Sequence, residues 1–228
     1  MDLNQTLAGV GEFQQHAFDI LTSRRVADAF DLTTESDATR DRYGRHLWGQ
    51  SCLLARKLAE SGVSVITIDA LAPLLSNYRY FSWDDHAIPD YKWDIAEAMK
   101  HRALYMEQAV GTLIEELYER GLNQNVLLVG MGEFGRTPRY YDVKGYGGRN
   151  HWPQAQSIFM CGGGLRMGEI IGATNSKAEY PVERPVTPQE VLATVYHHLG
   201  IDPRREFHDF QGRPIPLLSN VEPIRELF

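Results

Sequence analysis

Three short stretches concentrate the side chains able to do chemistry: Trp83-Asp84-Asp85-His86, Gly132-Glu133-Phe134-Gly135-Arg136-Thr137-Pro138, and Gly148-Arg149-Asn150-His151-Trp152-Pro153. Together they offer two histidines and two or three carboxylates, in loops that follow or flank apolar runs. A mixed imidazole and oxygen set suits zinc, manganese or iron better than magnesium alone. Asp84 and His86 are two residues apart, so extended backbone would turn both side chains to one side, as chelation requires. A solvated acidic loop is the alternative. Glu133 lies just past the apolar run Asn125 to Met131, where ligands of open α/β sheets bind; it could equally brace a tight turn by pairing with Arg136. His151 stands in a loop with Gly145, Gly147 and Gly148, where backbone can approach an ion closely. Arg136 and Arg149 carry planar guanidinium groups that match phosphate or sulfate oxygens, with pairing to nearby acids as their other role.

The remaining candidates carry less chemistry. His16, His46 and His101 fall on expected helices, and His197-His198 near the end of one, where a cation complements the helix dipole. His208-Asp209 reads as a turn-stabilising pair, and Asp69 as a strand-end acid or a ligand. Gly162-Gly163-Gly164 lacks the Lys-Ser/Thr of a phosphate-binding loop and reads as a turn, so no nucleotide site is assigned.

The elements that must position these residues follow from the apolar spacing. Helices are expected over Leu3 to Phe30, Thr39 to Ser61, Lys92 to Arg120 and Pro188 to Leu199, with Gly62 and Gly121 closing the second and third. Strands are expected at Val63 to Asp69, Asn125 to Met131 and Ala155 to Cys161. Residues 70–90 read as a long irregular loop of the kind that is more often functional than idle. Helices alternating with buried strands predict an α/β fold, a three-layer α/β/α sandwich around a mostly parallel sheet.

At 228 residues the chain reads as a single domain able to bury one sizeable core. With 23 Lys and Arg against 30 Asp and Glu, the net charge of −7 argues against a nucleic-acid partner. Cys52 and Cys161 are too few for a disulfide scaffold or a cysteine metal cluster. No stretch approaches a membrane span and the amino terminus lacks the pattern of an export signal, so a soluble chain without membrane association is expected, its compartment open.

The segments GEFGRTP, GRNHWP, CGGG, RYGRHLWGQSCLLARKL and the closing GRPIPLL and EPIRELF resemble the domain-of-unknown-function 1501 family over nearly the whole chain. That family is assigned to the alkaline phosphatase and sulfatase superfamily, and the resemblance implies its sandwich, with one or two metals at the carboxyl edge of the sheet. It implies Asp84, His86 and His151 as ligands of one metal and Glu133 as a ligand of a second, the ion being zinc or manganese, with calcium as a further option. Better-known relatives carry an Asp-His pair where Glu133-Phe134 stands, and Phe134 has no lone pair to offer. The family usually has Asp where Asn150 stands. Full members begin with a strand bearing a metal-binding Asp and a Ser, Thr or modified Cys nucleophile, and often carry an export signal. The chain is therefore expected to lack the amino-terminal part of the fold. The implied activity is metal-dependent hydrolysis of small phosphate or sulfate esters, with Arg136 or Arg149 holding the oxyanion. The alternative is a non-catalytic metal- or anion-binding module, or a subunit completed by a second copy or by a missing amino-terminal chain.

Overall fold

A computed structural model describes residues 11, 14–15, 23–70, 83–87, 94–219 and 221–228. Most of the helix expected over Leu3 to Phe30, and the centre of the loop at 70–90, lie outside the described residues. The chain divides into two compact units, residues 1–83 with 99–116, and residues 84–98 with 117–228.

In the first unit, Ser23 caps α1 (Arg24–Phe30) by accepting from the Val26 N–H. A 3-10 turn at Leu32–Thr34 is held by the Asp31 carboxylate. The helix expected over Thr39 to Ser61 is two helices, α2 (Asp37–Tyr43) and α3 (Leu47–Glu60). Gly44, at φ 94°, breaks them apart, and His46 restarts the second by accepting the Gly49 N–H on its ring. The inward face of α3 buries Trp48, Cys52, Leu53 and Ala55, and with them Arg56, which is 1% exposed. Arg56 is ringed by three carboxylates: Nη1 lies 2.7 Å from Glu60, Nε 3.0 Å from Glu116 and Nη2 3.0 Å from Glu35. The buried Tyr43 hydroxyl donates to Glu116 at 3.0 Å, and burial followed by the Glu116 charge pushes that phenol well above its ordinary pKa. A buried guanidinium is tolerated only with opposite charges this close.

The long helix α4 (Ile95–Glu119) follows the expected four-and-three spacing and ends before Gly121, which adopts the left-handed conformation. In the second unit, β1 (Leu127–Gly130) is followed by β2 (Gly135–Arg136), β3 (Tyr141–Val143), β4 (Tyr146–Gly148), β5 (His151–Trp152), β6 (Phe159–Gly162), β7 (Ala173–Thr174) and β8 (Pro181–Glu183). Then come α5 (Pro188–His198), β9 (Glu206–His208) and β10 (Pro214–Pro216). Thr187 and Glu190 form a capping box at the start of α5. Val191 on this helix packs with Ile224 and Leu227, and around them sit Ile158, Met160, Leu165, Ile171 and Val186.

The α/β/α sandwich is not what forms. Among the described residues every sheet has two strands, and all the pairings are antiparallel: β1 with β6, β2 with β5, β3 with β4, β7 with β8, and β9 with β10. Val63 to Asp69 is not a strand, and Val65 is 70% exposed. β-Branched composition favours a pleated, half-buried surface but supplies no lateral partner. β1 and β6 are where expected, yet β1 is only half-buried, unlike a strand covered on both faces. An apolar run states that a strand is inside; it does not state the direction of its neighbour. None of the described helices is long and apolar enough to cross a membrane.

Candidate metal centre

One antiparallel pairing in the second unit and the segment tied to it build the site. β2 and β5 place Arg136 opposite His151, and just beyond them the Thr137 N–H donates to the Asn150 carbonyl at 2.8 Å. The segment carrying Asp84 and His86 is tied on by the Arg149 N–H, which donates to the Asp85 carbonyl at 2.8 Å. Gly148 makes that approach feasible, since a Cβ there would lie 2.4 Å from both Asp85 O and Ala87 N. The His86 N–H turns back to the Asp84 carbonyl at 3.1 Å, which points both side chains at the β2–β5 pair.

Three lone-pair atoms then converge. Asp84 Oδ1 lies 3.0 Å from His86 Nε2 and 2.8 Å from His151 Nε2, and the two Nε2 atoms are 3.1 Å apart. Ligands on the edge of a zinc tetrahedron with arms of about 2.0–2.1 Å are separated by roughly 3.3 Å, so the triangle is within a few tenths of an ångström of a metal's ligand face. Three acceptors this close repel unless a proton or a cation lies among them. Asp84 and His151 are each 46% exposed and His86 is 24% exposed, which leaves the trio open to ion entry. Burial would raise the Asp84 pKa, but hydrogen bonds from Arg136 and His151 and the positive charge of Arg136 outweigh it and hold the carboxyl below its ordinary value. Asp84 is thus supplied as the carboxylate that a metal requires.

Of the other residues expected at the site, Arg136 stands at the trio's edge, its Nη1 2.5 Å from Asp84 Oδ1. Arg149 does not face it: Nε donates to Thr137 O at 2.6 Å and Nη2 to Arg136 O at 3.1 Å, so its guanidinium ties the loop together. Glu133 is exposed and outside the convergent group. Thr137, beside Arg136, is 6% exposed. Its hydroxyl donates to Arg139 O at 2.9 Å and accepts from Asn150 N–H at 3.1 Å.

Two further contributors, Phe134 and Asn150, stand where the resemblance marks a departure from the family pattern. The Phe134 ring lies 4.2 Å from that of His151, tilted by 40°, with the Arg136 guanidinium 5.7 Å from the Phe134 ring centre. The period of two, which puts Phe134 and Arg136 on one side of extended backbone, was the available signal. Asn150 Oδ1 lies 2.9 Å from His86 Nδ1, a contact across 64 residues.

The family described as "Protein of unknown function (DUF1501)" matches residues 3–228. The chain belongs to the DUF1501 family. No curated protein and no solved structure matches it. The chemistry of this DUF1501 chain therefore has to be read from the geometry: a carboxylate and two imidazoles converging on one point, one guanidinium beside them, and a buried threonine and an asparagine framing the histidines.

Proposed function

We propose that this DUF1501 chain binds one divalent transition metal, zinc or manganese, through Asp84, His86 and His151, at a site for hydrolysis of phosphate or sulfate esters. The observation that carries the metal is the convergence of three lone-pair atoms within 2.8–3.1 Å of one another. The ester class rests on the assignment of the DUF1501 family, which GEFGRTP and GRNHWP resemble, to the alkaline phosphatase and sulfatase superfamily, and on Arg136 beside the trio. A bound ion would act as Lewis acid and template for the ester oxygens. Arg136 donates one N–H to Asp84, and the guanidinium carries further N–H groups for an oxyanion held next to the ion. Phe134 packs on His151 and covers one flank of the ring.

A second reading, metal binding without turnover, is favoured by Thr137. Both hydrogen-bonding roles of its hydroxyl are taken up by Arg139 and Asn150, so it is not poised as a nucleophile.

Elemental analysis of untagged protein separates these from no site at all. About one zinc per chain is expected, and it should be lost from His86→Ala and from His151→Ala. Metal content unchanged in both variants would end the ligand assignment. Aryl phosphate and aryl sulfate hydrolysis that disappears in His151→Ala supports the hydrolase; stoichiometric zinc with no hydrolysis of either ester supports the second reading.

A further inference from the structure

We infer that Asn150 is a positioning residue, which accepts the Nδ1–H of His86 and so holds that ring in the tautomer whose Nε2 lone pair faces Asp84 and His151. The inference deepens the metal-site reading above and rests on it for its purpose, but the ring state can be measured without any metal. A neutral imidazole carries one proton, and an amide oxygen can only accept. With Asn150 Oδ1 2.9 Å from Nδ1, the proton stays on Nδ1, and Nε2, 3.0 Å from Asp84 Oδ1, keeps the lone pair. The opposite tautomer would aim an N–H at the place an ion has to occupy. A single proton, on His151 Nε2, then serves both Asp84 at 2.8 Å and His86 at 3.1 Å; a cation binding there would take its place, that proton moving to His151 Nδ1 so that the ring stays neutral and Nε2 gains the lone pair.

The seat of Asn150 is itself built. Its carbonyl accepts from Thr137 N at 2.8 Å and its N–H donates to Thr137 Oγ1 at 3.1 Å. Thr137 is 6% exposed and anchored in turn through Arg139 O. The backbone of Asn150 is thereby engaged on the buried side, and its amide is presented to His86. Because that amide is neutral, the ligand set keeps a single formal negative charge, on Asp84; a carboxylate at this position would add a second. Partners of this kind fix ring orientation and ligand basicity, and their loss weakens metal binding by about 10–100-fold.

The test is long-range proton–nitrogen NMR on the full-length metal-free chain at about pH 8, above the ordinary imidazole pKa of ~6.5. Wild-type His86 is expected in the Nδ1–H form. Asn150→Asp, which retains an acceptor oxygen, should preserve that form, and Asn150→Leu should lose the preference. In zinc titrations Asn150→Leu should bind about tenfold more weakly than wild type, the lower end of the range because the contact is exposed, and Asn150→Asp no more weakly. An Nε2–H ring in wild type, or an Nδ1–H preference that survives in Asn150→Leu, overturns the inference. If wild type takes up no zinc while the tautomer still follows residue 150, the metal reading fails and the positioning role stands.

Discussion

Arg56 and its carboxylates in the first unit, and Asp84 with its two histidines in the second, are both clusters of ionisable side chains, and they obey opposite rules. Around Arg56 the charges alternate, every carboxylate faces a donor, and the central guanidinium is 1% exposed. That arrangement already has its cation at the centre, and adding an ion would only disturb it. At Asp84 a carboxylate oxygen and two imidazole nitrogens converge with a single imidazole proton among them and Arg136 only at their edge, and nearly half the surface of two of the three side chains is open. The contrast teaches that closeness of charged groups does not mark a site. What marks one is a shared deficit that a ligand could fill.

The largest expected effect tests the structural half of this contrast. Arg56→Met leaves Glu116, whose side chain is 6% exposed, buried without its cation and should destabilise the protein by about 3–5 kcal/mol in urea denaturation. Zinc uptake by the molecules that remain folded should be unchanged. A stability loss under about 1 kcal/mol would show the cluster to be no buried keystone.

The reverse pattern is expected at the trio. His86→Ala or His151→Ala should weaken zinc binding by roughly a hundredfold or more, since binding free energies of about 10–16 kcal/mol for structural zinc are shared among few ligands. Metal-free stability should change by no more than about 0.5 kcal/mol, as for other partly exposed sites. Variants that lose stability but retain zinc would reverse the assignment of the two clusters.

Gly148→Ala probes the backbone that connects the halves of the site. A methyl group 2.4 Å from Asp85 O and Ala87 N forces the 85–87 segment to shift. A cost of about 1–3 kcal/mol is expected, together with weaker zinc binding although no ligand is touched. Unchanged affinity would mean that the trio tolerates displacement of that segment.

The smallest effect concerns an intermediate case, Arg184, which pairs with Glu226 at 2.6 Å and Glu190 at 2.8 Å, the three side chains being 20–30% exposed. The hydrogen bonds from Arg184 lead the effects that hold the Glu226 carboxyl down at about 2, against an ordinary value of 4.5. A depressed carboxyl pKa adds stability that is fully present above 4.5 and is lost as pH falls through about 2. The gap in melting temperature between wild type and Arg184→Met should therefore be open at neutral pH and close across that window. A gap independent of pH would assign the effect of Arg184 to packing.

Local chemistry was legible in the sequence wherever a few neighbouring residues decide the outcome. The apolar spacing from Val191 onward locates α5 to within a residue, and the stop at Gly121 locates the end of α4 as closely. Residue type and a spacing of two singled out Asp84 and His86 as a pair, while His151 was joined to them only by the resemblance to the family. Gly44 was the misread local signal: a single positive-φ glycine divides what periodicity alone reads as one helix.

What only the tertiary structure decided depends on partners distant in the chain. Antiparallel pairing of β1 with β6, in place of a parallel sheet, depends on which edge meets which, and an apolar run carries no direction. The same holds for the division of labour between the two arginines, Arg136 turned to Asp84 and Arg149 to backbone carbonyls. Glu133, singled out by its position at a strand end, is exposed because the sheet that would have given that position meaning is not formed. Asn150, unremarkable in the sequence beyond its place beside His151, gains its role from lying 2.9 Å from a ring 64 residues away. Residue type determines which lone pairs the chain can offer; only the folded backbone determines which of them meet.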